Sequence, residues 1–81
     1  MSQTPPGRLR WRCRRGMQEM DILLLRWLDQ CWAEASPQQQ ASFESLLASE
    51  DDQLWDWLSG RTQPEQPELA ELVERIRNAA P

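Results

Sequence analysis

Met20-Asp21-Ile22-Leu23-Leu24-Leu25-Arg26-Trp27-Leu28-Asp29-Gln30-Cys31-Trp32 is the stretch that decides the fold class. Its residues Met20, Leu24, Trp27, Leu28 and Cys31 recur at helical spacing, with Leu23 and Trp32 widening the apolar stripe. The pattern predicts the longest helix of the chain, from Met17 to about Ala33. A helix with one apolar face must bury it against another element, so companions are required. The apolar run Ile22 to Leu25 is broken by Arg26, far short of a membrane span, and no membrane insertion is expected.

Towards the carboxy terminus the companions announce themselves by their ends. Ser36-Pro37-Gln38-Gln39 reads as a helix start, with Ser36 as N-cap, Pro37 as first helical residue and Gln39 as the returning side chain of a capping box. The helix it opens should bury Phe43, Leu46 and Leu47, with Gln38-Gln39-Gln40 on its solvated face. Ser49-Glu50-Asp51-Asp52 repeats the pattern, placing Ser49 as cap and three carboxylates in the first turn, where the helix dipole favours them. The short helix that follows carries Leu54, Trp55, Trp57 and Leu58 and ends at Gly60, suited to a left-handed cap. Arg61 to Gln66 reads as a linker. Pro67 then opens a last helix whose Leu69, Leu72, Val73 and Ile76 fall at i, i+3, i+4 and i+7, with Glu68 early and Arg75 and Arg77 late.

Towards the amino terminus, Pro5-Pro6-Gly7 breaks the chain before Arg8-Leu9-Arg10-Trp11-Arg12-Cys13-Arg14, whose polar and apolar residues alternate as in a strand. No other segment offers a strand partner, and a lone strand leaves its backbone unsatisfied. A short helix joining Leu9 to Cys13, four residues apart, is therefore expected. The whole is an all-α fold, a small single-domain bundle of about five short helices over residues 8–78, with a disordered tail over 1–7 and a carboxy-terminal tail over 79–81.

The composition limits what such a bundle can do. Eighty-one residues fit one domain with little core to spare for a deep active site. Five Trp make a compact core possible where the rings face inward. There is no His, so the commonest general base and the usual partner of a Ser or Cys nucleophile are missing. Glu50, Asp51, Asp52 and Asp56 could hold Mg²⁺ in principle, but helix-end electrostatics explain them sufficiently, and no metal is expected. Gly7, Gly16 and Gly60 are the only glycines and form no phosphate loop. Cys13 and Cys31 are too few and too far apart for a disulfide scaffold or a redox pair and read as reduced thiols. The amino terminus lacks the apolar stretch of a secretion signal, which makes the cytoplasm the expected compartment.

The net charge of -4 conceals a polarity: residues 1–16 hold five Arg and no acid, and the rest hold four Arg and thirteen acids, +5 against -9. An arm of arginines carrying Trp11 could contact phosphates and stack bases. The acidic body opposes that, so nucleic acid is not the favoured partner. Arg14-Arg15-Gly16-Met17-Gln18-Glu19-Met20-Asp21 is harder to read as scaffold. Arg15 closes one helix well but stands at the positive start of the next, and an Arg15–Glu19 pair has the weaker helical orientation. Local physics supplies no strong stability reason for the grouping.

Arg15-Gly16-x-x-Glu19 resembles the RGxxE motif of the SdhE family, also called succinate dehydrogenase assembly factor 2. Arg8-Leu9-x-Trp11, Met17, Asp21-x-Leu23-Leu24, Leu46-Leu47, Asp52-x-Leu54-x-x-Trp57-Leu58 and Glu68-Leu69 through Ile76-Arg77 extend the resemblance over residues 8–77, with Trp55 and the Trp27 to Trp32 stretch richer in Trp than the family pattern. The resemblance implies a five-helix assembly factor that is not an enzyme. It would promote covalent attachment of FAD to a histidine of the flavoprotein subunit of succinate dehydrogenase or fumarate reductase. The factor would hold no cofactor stably and act, as a monomer, on FAD bound to that client. It further implies Arg15 and Glu19 as polar contacts to the client, Gly16 as a point of close backbone approach, and Arg8, Arg14 and Met17 as flanking residues. The competing reading is a helical antitoxin-like or regulatory module that contacts nucleic acid or another protein through the basic arm.

Overall fold

A computed structural model describes residues 7–79; the tail expected over 1–7 lies outside them except for Gly7, and Ala80 and Pro81 lie outside them too. Five α-helices follow in order: α1 (Gly7–Arg12), α2 (Gln18–Cys31), α3 (Pro37–Leu47), α4 (Asp51–Leu58) and α5 (Pro67–Arg77), with a 3₁₀ turn at Trp32–Glu34. Among the described residues there is no strand. The alternating arginine segment is helical, because Leu9 and Cys13 together reach the core, whereas Trp11 is 76% exposed.

α5 packs against α2, α3 and α4 and is the hub of the bundle. Its Leu69, Leu72, Val73 and Ile76 are buried, as the i, i+3, i+4, i+7 spacing predicts. α2 contributes Met20, Leu24, Trp27 and Leu28, and α3 contributes Phe43, Leu46 and Leu47. Where α2 meets α3, Trp27 stacks on Phe43 at 4.5 Å between ring centroids. Trp32 closes edge-on upon both rings, at 6.4 and 6.1 Å. Such offset and edge-on pairs add about 0.5–1.5 kcal/mol each beyond the area they bury.

Several local expectations need correction. Only Trp27 and Trp32 are core rings, while Trp55 and Trp57 are half-buried and Trp11 stands in solvent. α2 stops at Cys31 and tightens into the 3₁₀ turn instead of continuing to Ala33, which swings Trp32 inward. The glutamine run is solvated only in part: Gln38 is exposed, whereas the half-buried Gln39 closes the capping box with Ser36 and the half-buried Gln40 donates through its amide to the Trp32 carbonyl at 2.7 Å. Ser49 does not cap α4. The N-cap is Glu50, with no side-chain hydrogen bond: its carbonyl accepts from the Leu54 N–H at 2.9 Å, while the Ser49 N–H closes α3 by donating to the Leu46 carbonyl at 3.0 Å.

The other ends are as read. The Ser36 hydroxyl accepts from the Gln39 N–H at 3.1 Å, and the Gln39 side chain accepts from the Ser36 N–H at 3.2 Å. Gly60 takes φ +85°. Its N–H donates to the Trp57 carbonyl, and the Arg61 N–H donates to Asp56, the double bond of a Schellman end.

Candidate functional site

The junction between α1 and α2 is a turn over residues 13–17 that no helix hydrogen bond supports on its own. Cys13 plugs it into the core, with its N–H donating to the Leu9 carbonyl at 3.0 Å. Burial pushes the Cys13 thiol from 9.0 up to about 11 against the opposing pull of Arg15 and Arg10, so it stays a neutral packing group. Gly16 reverses the chain at φ +81°, a conformation that costs an L side chain about 1–2 kcal/mol. Nothing lies within 4 Å of where its Cβ would stand, so inside this chain the glycine answers a torsional demand and not crowding.

Asp21, one turn into α2, faces back into this junction. One carboxylate oxygen accepts from the Arg15 N–H at 2.9 Å and the other from the Gly16 N–H at 3.2 Å. Two successive amides converging on one anion form a small nest, here filled by the chain itself.

Arg15 reaches the other way. Its side chain is only 17% exposed and makes an ion pair with Asp51 of α4 at 3.2 Å. The same guanidinium donates to the carbonyls of Leu47 and Ser49, where α3 ends, while its Nε is buried without a partner. A cation at the negative end of α3 is favourably placed, and it satisfies carbonyls that helix geometry leaves open. The stability reason that local physics does not supply for this grouping comes from these distant partners at the end of α3 and the start of α4. Arg15 also does not pair with Glu19, since its reach is taken by partners 32–36 residues away.

The remaining motif residues face outward. Gly16, Glu19 and Arg14 are exposed, and among the described residues no ion pair engages Glu19 or Arg14. Met17 is the extended N-cap of α2 and is half-buried against the core. Met17, Gln18, Glu19 and Met20 line a shallow concavity of about 420 Å³ whose far wall is Trp55 of α4. Trp55 was the residue that sequence reading set aside as a departure from pattern. The only hint available was its neighbour spacing: Leu54 and Leu58 mark the buried face of α4, leaving Trp55 on a flank.

Arg8 does not line this concavity. It lies near the start of α1, and its partner among the described residues is Glu44 of α3, at 3.9 Å. Arg10 pairs with Asp29 of α2, and Arg12 donates to the Glu44 carbonyl at 3.3 Å. Four of the five arm arginines therefore reach acceptors within the chain, which leaves little of the arm free to coat a phosphate backbone.

No group of three or more metal-ligating side chains occurs among the described residues, and none of these residues that is polar or charged is fully buried. No helix among them is long and apolar enough to cross a membrane.

A family model described as flavinator of succinate dehydrogenase matches residues 7–80. Among curated proteins, the FAD assembly factor SdhE of Photobacterium profundum is 37% identical over 76 residues, covering 94% of this chain and 86% of that protein. The FAD assembly factor SdhE of Xylella fastidiosa is 44% identical over 71 residues, 88% of this chain and 73% of that protein. That of Methylococcus capsulatus is 42% identical over 71 residues, 88% and 86% of the two chains. No solved structure matches the chain. The family model matched over residues 7–80, together with relatives 37–44% identical over most of the chain, places this chain in the SdhE family of FAD assembly factors, the flavinators of succinate dehydrogenase.

Proposed function

We propose that this protein promotes covalent attachment of FAD to the flavoprotein subunit of succinate dehydrogenase by binding that subunit. The observation that carries the reading is the exposed Glu19 carboxylate. It has no ion-pair partner among the described residues, stands next to the left-handed Gly16 turn and borders a concavity walled by Met17, Met20 and Trp55. A charged side chain without an internal partner beside an apolar hollow suits a partner that brings a donor and an apolar group together. Gly16 lets a partner's backbone approach where a side chain would stand, and Arg14 and Met17 flank the contact.

The factor acts without chemistry of its own. It holds no cofactor stably and acts on FAD bound to the client. The bond to the client histidine forms between groups the client and the flavin supply, and the factor selects the conformation in which they meet. Each tenfold preference for that conformation takes about 1.4 kcal/mol of differential affinity. Holding reacting groups in place is a sufficient source of rate. The same surface serves a fumarate reductase flavoprotein if that client presents the same donor, and one copy of the chain suffices.

Co-expression of the tagged protein with a succinate dehydrogenase flavoprotein subunit tests this. Covalent flavin is read as fluorescence of the denatured gel band, and association by co-purification. Glu19→Ala is expected to retain the helical circular dichroism spectrum and to lower both signals. Full flavinylation by Glu19→Ala refutes the assignment of the site.

A further inference from the structure

We propose that Asp21 and Arg15 are positioning residues that hold the Gly16 turn in its binding shape, rather than contacts to the client. This rests on the functional reading above and adds to it the device that presents Gly16 and Glu19.

A glycine populates positive and negative φ about equally, so nothing in Gly16 itself selects +81°. Selection comes from both sides of the residue. The Arg15 and Gly16 N–H groups point at the two oxygens of one Asp21 carboxylate, at 2.9 and 3.2 Å. The Arg15 guanidinium is meanwhile fixed to Asp51 and to the carbonyls of Leu47 and Ser49. Arg15 is therefore held through its backbone by α2 and through its side chain by α3 and α4. The turn cannot rotate about Gly16 without breaking one set or the other.

Asp21 is half-buried, with both oxygens engaged inside the chain, and only 17% of the Arg15 side chain is open to solvent. Neither residue offers a client much to hold. Their neighbours in the motif, Gly16 and Glu19, are exposed and receive their geometry from them. A surface ordered before the encounter loses less entropy upon binding, and removing the order appears as weaker affinity without loss of a contact.

The test compares Asp21→Asn, Glu19→Gln and the double variant. Asparagine keeps the size of Asp21 but presents one amide N–H group where a second acceptor is needed. Three quantities are measured: affinity for the purified apo-flavoprotein subunit, covalent flavin on the co-expressed client, and amide hydrogen exchange at Arg15 and Gly16. Asp21→Asn is expected to accelerate exchange at those two amides and to weaken binding about tenfold. In the Glu19→Gln background the same change should weaken binding less than about twofold, because residues acting through one another are not additive. Should Asp21→Asn unfold the chain, Arg15→Lys serves in its place; it keeps the charge but loses the fork, and the same pattern is expected.

Unchanged affinity despite accelerated exchange overturns the proposal, and so does a loss that is fully additive with Glu19→Gln. If Glu19→Gln and Glu19→Ala both bind and flavinylate like the native chain, the site reading itself has failed, and the positioning proposal with it. That result is distinct from the first two, in which the Glu19 variants are impaired.

Discussion

Replacing Gly16 or Gly60 with alanine separates the stability of this fold from its docking surface. Both glycines have left-handed backbones, at φ +81° and +85°. At Gly16 a new Cβ meets nothing within 4 Å, so the cost of Gly16→Ala is torsional alone. The left-handed penalty of about 1–2 kcal/mol is offset by about 0.4–1 kcal/mol, because alanine has less freedom than glycine in the unfolded chain. The net loss is about 1 kcal/mol, a fall in midpoint of about 4–8 °C for a domain of this size. At Gly60 the Cβ stands 2.6 Å from an Arg77 guanidinium nitrogen, but that is the far end of an exposed, flexible side chain that can swing away. Gly60→Ala should therefore cost nearly the same. Urea unfolding followed by fluorescence of the buried Trp27 and Trp32 measures both losses. Covalent flavin on a co-expressed client measures function. Equal stability losses are expected, with flavinylation reduced by Gly16→Ala and kept by Gly60→Ala. Equal reduction by both variants would show that lost stability accounts for the effect and refute a docking role for the Gly16 turn.

Three further outcomes follow from the packing. Arg15→Ala should destabilise the chain by about 1–2 kcal/mol in urea: it leaves the Leu47 and Ser49 carbonyls without their donor but also removes the unpartnered Nε. No change in unfolding free energy would show that the clamp between α3 and α4 is idle. Ser36→Ala removes the cap of α3 and half of its capping box, and a loss of about 1 kcal/mol is expected by the same measurement. The Cys13 thiol is raised from 9.0 to about 11 by burial, so the unfolded chain ionises first as the solution becomes alkaline. Its contribution is fully present below about pH 9 and is lost as pH rises towards 11. Cys31 is shifted in the same direction, also by burial, so comparison with Cys13→Ala isolates the Cys13 part: that variant should show a shallower alkaline decline.

Much of the structure that depends on residues a few positions apart was legible in the chain. The capping box at Ser36 and Gln39, the Schellman end at Gly60 and the stripe Leu69, Leu72, Val73, Ile76 all formed as read. The exposed placement of Gly16 and Glu19 was likewise expected from the motif. The misreadings share one cause. Ser49 resembles a cap, but its N–H was taken by the end of α3, and its carbonyl by Arg15 from another part of the chain. Arg15 read as suited to the end of one helix and unsuited to the start of the next, because α3 and α4, whose ends hold its side chain, do not show in local spacing. Asp21 closed the grouping Arg14 to Asp21 without an assigned role, because its partners lie behind it in a turn whose direction the pattern does not encode. Trp55 was noted only as a departure from the family pattern, because helical spacing cannot tell a flank from a centre when the neighbouring helix is unknown.

By itself, the amino-acid sequence determined the number and nature of the helices, some of their ends, the main apolar faces and the family, because periodicity, caps and motif spacing act over one or two turns. Only the tertiary structure decided which arginines are tethered and which acid of the motif stays exposed without an ion pair among the described residues. Those choices depend on side chains meeting across 32–36 residues of chain, as Arg15 meets Leu47, Ser49 and Asp51. A hydrogen bond is satisfied by whatever lies within about 3 Å in space, and sequence distance carries no information about that.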